Sequence, residues 1–396
     1  MTVIAVPRVR RVPVALGACL LSFAAFWCAQ RAAHVSMIDL MVYRAEGETV
    51  RTGGDLYALR TTEAHLPTTY PPFAALLFTP LTLLDTASMR TLATAGNLAL
   101  LVVFVALSLR LAGHARVESV WWVSAAAVWC EPVWTTLRYG QINLLLAVLV
   151  LWDLSRRPAH RWAGVGIGIA AAVKLTPALF ALFLLVTGLV EYLRRDSGGP
   201  WLRHARRAAA AFTGATLLAA AALPYDSWRF WTRMVFEAGR VGLVEDTANQ
   251  SLRGVLARLL HTTEPGAWWA ATAAVAGALG LTLAVAAELR GRRAWAVIAC
   301  AVTALLISPV SWSHHWVWCV PMLLLLATTS RPAALCTAPA FFSYALWWVP
   351  HGPGRLELHQ TGTELTLSAL YVAAGLAFLA LTGLRLSRTT QAVANE

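Results

Sequence analysis

Lysine is almost missing from this chain: Lys174 is its only one, and every other side-chain cation apart from histidine is arginine. Charge of either sign is scarce. Asp, Glu, Lys and Arg make up 13% of the 396 residues, against roughly 25% in soluble domains. With 58% hydrophobic residues and a mean hydropathy of +0.60, too little polar sequence remains for a separate soluble domain, and soluble α/β folds are excluded. Six cysteines (Cys19, Cys28, Cys130, Cys300, Cys319 and Cys336) all fall in apolar stretches. No CxxC or Cys/His ligand spacing occurs, which argues against a disulfide framework and against zinc. Internal repeats and low-complexity linkers are also lacking.

What is present is a series of apolar runs. They predict an all-α polytopic membrane protein of about twelve spans, at 13–29, 92–109, 119–134, 142–154, 162–173, 176–190, 205–223, 266–287, 294–307, 316–327, 333–349 and 365–384. Arg8, Arg10 and Arg11 precede the first run as they would in a signal peptide. No clear A-x-A-like cleavage pattern follows, so this run is taken as a membrane helix. A further run, Phe73 to Leu84, contains Pro80 and is too short to span comfortably; it is expected to lie on or dip into the outer face.

The net charge of +12 would point to nucleic acid in a soluble protein. Here it reflects the positive-inside bias, and no nucleic-acid partner is expected. With a cytoplasmic N-terminus, the inner segments hold about 19 of the 32 basic residues and about 6 of the 20 acids. Counting 73–84 as a span would put Arg156, Arg157 and Arg161 outside, which the bias rejects. The chain is then one membrane domain, 1–396, with two long extracytoplasmic loops at 34–91 and 224–265. Several spans are too short for a hydrocarbon core of about 30 Å. Their connecting turns must lie below the outer surface and line a protein cavity.

The polar residues of these turns are the candidates for chemistry. Asp39 follows the first helix and suits a general base at the membrane boundary, or a helix cap. Tyr70-Pro71-Pro72 opens the surface helix and is read as architecture. Glu131, Gln141 and Asn143 offer a carboxylate and amides for sugar hydroxyls, or a helix-end polar network. Lys174 sits between two short spans, where a compact ammonium suits a phosphate; a snorkelling structural lysine is the alternative. Arg138 could add charge beside it. Asn249, Gln250 and Arg253 supply amides and one cation from the second long loop. His314 and His315 interrupt an apolar region, where ionisable groups are costly and so usually functional. Adjacent histidines do not share a helical face, so one supports while the other acts; packed polar residues are the alternative. No third ligand is near, and no metal is expected.

Six stretches in order, IDLMVY, TYPPFAALLFTPL, EPVWTTLRYGQINLLL, GIAAAVKLTPA, NQSLRGVL and LLISPVSWSHHWVW, carry a resemblance. From about Asp39 to Val320 the chain resembles glycosyltransferase family 87, the polyprenyl-phosphate-mannose-dependent α-mannosyltransferases. The resemblance implies a GT-C membrane fold at the plasma membrane, with the catalytic aspartate of the first outer loop at Asp39. It implies a polyprenyl-phosphate-mannose donor, a mannosylated glycolipid acceptor, and membrane lipid as the surroundings of both. Family members extend phosphatidylinositol mannosides or add α-1,2 branches to lipomannan, and these motifs do not separate the two acceptors. A β-linked donor and an α product imply one inverting displacement. Asp39 would be its base. Lys174, a histidine of the 314–315 pair, and Arg138 or Arg253 would stabilise the departing phosphate, with no cofactor. A transferase for another polyprenyl-linked sugar is the nearest alternative. A lipid-linked sugar flippase is another, but its expected pseudo-symmetric repeats are not seen.

Overall fold

The computed structural model describes residues 8–114, 116–157, 160–195 and 199–394. Apart from one two-residue hairpin, Arg60–Thr61 with Leu66–Pro67, it is helical. The α-helices run α1 Arg8–Ala32, α2 Ile38–Thr52, α3 Pro72–Phe78, α4 Thr86–Leu111, α5 Val117–Ala127, α6 Glu131–Tyr139, α7 Asn143–Leu154, α8 Val165–Val173 and α9 Ala178–Arg195. They continue with α10 Pro200–Ala222, α11 Pro224–Thr232, α12 Leu252–Leu259, α13 Gly266–Leu289, α14 Arg293–Ile307, α15 Cys319–Thr329, α16 Arg331–Phe342, α17 Thr363–Ser368 and α18 Leu370–Ala394.

Among the described residues, four helical stretches are long and apolar enough to cross a membrane: Val12–Ala32, Thr86–Leu111, Gly266–Leu289 and Leu370–Arg388. The pair α6–α7, bent by 118°, makes a fifth if counted as one span. This is fewer than the twelve runs expected, because several runs are broken. The run 119–134 stops at Ala127 and restarts at Glu131, where Pro132 occupies the first turn and suits a helix start. The run 316–327 begins only at Cys319, behind a 3-10 turn, Ser313–Trp318, in which Trp316 leaves helical geometry. The run 333–349 ends at Phe342, ahead of left-handed Tyr344, and 365–384 is split between Ser368 and Leu370. Conversely α4 starts earlier than its apolar run, because Asp85 caps it by accepting from the amides of Ala87 and Ser88.

The run Phe73 to Leu84 forms α3 followed by a 3-10 turn, Thr79–Leu83. It packs against α2, α8 and α10. At Gly47 a Cβ would lie 2.6 Å from the Phe78 carbonyl oxygen, so glycine lets α2 sit directly on this segment. Small residues do the same between α8 and α10: a Cβ on Gly168 would meet Ala208 backbone, the close approach common between membrane helices.

α8 has nine residues, a length of about 14 Å at 1.5 Å per residue. Its start is anchored by buried Asp153 of α7, which accepts from the amides of Gly164 (2.6 Å) and Ile167 (2.9 Å). Its end at Lys174 turns extended. The short helix therefore delivers Lys174 into the interior of the bundle.

Candidate active site

α2 carries Asp39 and Tyr43 one turn apart, on the same helical face. The Tyr43 ring stacks on Phe78 with centroids 4.3 Å apart, and meets Tyr70 edge-on. Both tyrosine hydroxyls reach the Oε1 of Gln141, at 2.8 Å from Tyr43 and 3.1 Å from Tyr70. That leaves the Nε2 of Gln141 to donate to Asp39 Oδ2 at 2.7 Å. Gln141 stands at the sharp bend between α6 and α7, where left-handed Gly140 closes α6 against Leu40 and Met37.

Lys174 completes the network. Its Nζ lies 2.9 Å from His315 Nε2, 3.3 Å from Asn143 Oδ1 and 3.5 Å from the Tyr70 hydroxyl. An ammonium can only donate, so His315 accepts through Nε2 and carries its proton on Nδ1. Asp39 and Lys174 are thus joined through Gln141 and Tyr70.

These groups face one cavity of about 540 Å³, lined among others by Asp39, Tyr70, Gln141, Lys174, Trp312 and His315. Leu175, Leu179 and Ile307 give it an apolar flank. A narrow slot of about 50 Å³ continues beneath Lys174 between Leu146, Phe180 and Leu305. Burial pushes the Asp39 carboxyl up to about 6, against the Gln141 hydrogen bond and the Lys174 charge, which lower it. Burial brings Lys174 down to about 8, with Asp39 opposing. The same burial, and the charge of Lys174, hold His315 well below its ordinary value.

That direction favours the neutral ring, which is placed to accept from Lys174 rather than to add a charge of its own. Its neighbour His314 is buried, with its ring edge-on to Tyr139 and its backbone carbonyl accepting from Thr136 and Asn143.

Five other candidates lie away from the cavity. Glu131, expected to bind sugar, is fully buried and accepts from Thr135, Ser313 and Trp347 on Oε1 and from Tyr371 on Oε2. Its oxygens are used up in joining α6 to the 3-10 turn and α18. Asn249 and Gln250 are also fully buried and brace the two loops. Asn249 accepts from the Ser311 amide, and Gln250 bonds to the carbonyls of Thr247 and Ser368 and the amide of Tyr371. Arg253 stacks on Trp269. Arg138 is exposed over Tyr139, and neither arginine lines the cavity. Asn143 lines only the slot beneath and orients Lys174.

The second cavity-lining cation is Arg240, which no sequence motif singles out. It is held by the carbonyls of Tyr57 and Thr68. Tyr43 had a legible signal, four residues after Asp39. Tyr70 had been assigned only to architecture. Among the described residues, no cluster of three or more His, Cys, Asp or Glu side chains is placed to ligate a metal. Cys130 and Cys319 are free thiols with sulfurs 3.4 Å apart in the core.

A half-buried carboxylate and the chain's solitary lysine line one apolar-flanked cavity of a helical membrane protein. The sequence model of glycosyltransferase family 87 matches residues 69–309, and the chain belongs to that family. It is 33% identical over 342 residues, 79% of this chain and 76% of the relative, to a polyprenol-phosphate-mannose-dependent alpha-(1-2)-phosphatidylinositol mannoside mannosyltransferase of Mycobacterium tuberculosis (strain ATCC 25618 / H37Rv). It is 36% identical to the protein of the same name from Mycolicibacterium smegmatis, over 79% of this chain and 75% of the relative. A pentamannoside mannosyltransferase of M. tuberculosis (strain CDC 1551 / Oshkosh) is 34% identical over 76% of this chain and 69% of its own. No solved structure matches this chain.

Proposed function

We propose that the protein transfers mannose from polyprenyl-phosphate-mannose to a mannosylated phosphatidylinositol-type lipid, forming an α-1,2 linkage with inversion, on the outer face of the plasma membrane. The placement of Asp39 and Lys174 on one cavity, 2.7 Å and 3.5 Å from the ends of a shared hydrogen-bonded network, carries this reading. The names of the relatives supply the sugar, donor and linkage. The positive-inside distribution of arginine supports the outward orientation and the twelve-span topology, with the broken runs as short or re-entrant helices.

Asp39 takes the proton of the acceptor hydroxyl as its oxygen attacks the anomeric carbon. The bond from that carbon to the phosphate oxygen breaks, and its electron pair leaves with polyprenyl phosphate. Lys174 is the charge closest to the base, and Arg240 is the second on the cavity wall; both suit the developing phosphate dianion. Charge stabilisation in a water-poor site is often the larger part of catalysis. Leu175, Leu179 and Ile307 offer an apolar surface for the first prenyl units. The Trp312 ring, packed on Gly242, offers a face for a hexose.

The test is transfer by purified protein in nanodiscs, from radiolabelled polyprenyl-phosphate-mannose to a phosphatidylinositol mannoside. The expected product is one hexose heavier and loses it to an α-1,2-specific mannosidase. Transfer of another polyprenyl-linked sugar in preference to mannose, or a mannosidase-resistant product, overturns the reading.

A further inference from the structure

A second cavity, of about 500 Å³, lies where α1 ends and α4 begins, at the end of the bundle that carries Asp39. Gln30, Arg31 and His34 line it from one side and Arg90 from the other, with Trp27 and Met37 between. Gln30 is 6% exposed, yet neither amide atom has a hydrogen bond. The Nε of Arg90 is buried and also unpartnered. Neither Arg31 nor Arg90 has a carboxylate within ion-pair distance among the described residues. Leaving a buried polar group unsatisfied is costly, and more so for a charged one. An exposed Arg31, a half-buried Arg90 and the buried Gln30 amide on one cavity suit an anion.

This polar cavity adjoins an apolar groove of about 790 Å³ among α1, α4 and α5, lined by Leu20, Phe23, Leu98, Val102 and Trp121. Trp27 lines both. An anion site set directly above a hydrocarbon groove matches an anionic phospholipid, with the phosphodiester at the arginines and an acyl chain along the groove. On the other side, Met37 is two residues from Asp39, so the turn between α1 and α2 divides this cavity from the catalytic one.

We infer that Gln30, Arg31, His34 and Arg90 bind the phosphodiester of the lipid acceptor, with its acyl chain between α1 and α4, so that its glycan extends past Met37 towards Asp39. The inference rests on the proposed transfer reaction and names the acceptor's anchoring site within it. The donor phosphate, at Lys174, and the acceptor phosphate then occupy separate cation sites.

The test compares the unaltered protein with the double variant Arg31→Gln/Arg90→Gln and with Arg90→Lys, each checked by thermal melting. Binding of a phosphatidylinositol mannoside is read by native mass spectrometry. Transfer is read as the ratio of kcat/KM for that lipid to kcat/KM for uncharged octyl α-mannoside. The expected result is at least tenfold weaker lipid binding in the double variant, a ratio reduced at least tenfold, and substantial recovery of both by Arg90→Lys. Equal lipid affinity in the double variant and the unaltered protein overturns the site, whatever the state of transfer. Lost binding with an unchanged ratio overturns the acceptor assignment, since the lipid is then a bystander. Absence of transfer to either acceptor by the unaltered protein would instead fail the proposed reaction, and the binding comparison still decides the site.

Discussion

The Nε2 of Gln141 donates to Oδ2 of Asp39 at 2.7 Å, while its own carbonyl is held by Tyr43 and Tyr70. The amide is oriented from behind, so it can only present hydrogens to the carboxylate. This hydrogen bond favours the ionised form. Gln141→Leu is therefore expected to move the acid limb of the activity profile upward in pH, and Gln141→Glu to suppress activity by adding charge beside Asp39. An unmoved acid limb in Gln141→Leu would show that Asp39 is not the titrating base.

Asp39→Asn keeps the size of the side chain but removes the base. Turnover should fall by roughly 10²-fold or more, while donor binding persists in a filter or fluorescence assay. A well-expressed variant with near-normal turnover would move the base elsewhere.

Activity should follow a bell in pH. Asp39 must be ionised, so kcat/KM rises as pH passes through about 6. Lys174 must be charged, so it falls again as pH passes through about 8. A flat profile between pH 5 and 9 would detach both groups from the reaction.

Lys174→Met should weaken donor use more than acceptor use, and Lys174→Arg should restore little, since a planar fork does not replace a compact ammonium between His315 and Asn143. His315→Ala should be far more damaging than His314→Ala, because only His315 bonds the ammonium. Activity is expected to survive chelation. Loss on EDTA with recovery on adding a divalent ion would overturn the lysine-centred reading of the phosphate site.

Two buried groups should report on stability rather than chemistry. Glu131→Ala strands Thr135, Ser313, Trp347 and Tyr371 donors, a loss of about 3 kcal/mol or more, read as a lower Tm. Glu46, fully buried on α2, is pushed up to about 8 by burial, with the Thr68 hydroxyl opposing. Its carboxyl is thus favoured in the neutral form, and stability falls as pH rises from its unfolded value towards 8. Glu46→Gln should remove that fall, raising Tm at pH 8 and leaving it nearly unchanged at pH 4.5.

Composition and motifs alone were enough for the class of protein and its family. Scarce charge and long apolar runs point to a helical membrane protein, since a helix satisfies its backbone groups within one continuous apolar segment. A solitary lysine, an aspartate after the first helix and a histidine pair at membrane depth marked the site, because such residues are costly there. Only the tertiary structure decided how these groups divide. Hydropathy sees residues singly and could not tell that Pro132 and the 3-10 turn at Ser313 break two runs. Nor could it show that four donors from separate segments saturate Glu131. The same local patterns, EPVW and NQSL, suit a sugar site or a brace between loops. Which one each becomes depends on partners more than a hundred residues away, Tyr371 for Glu131 and Gln250, and that proximity exists only once the helices have packed.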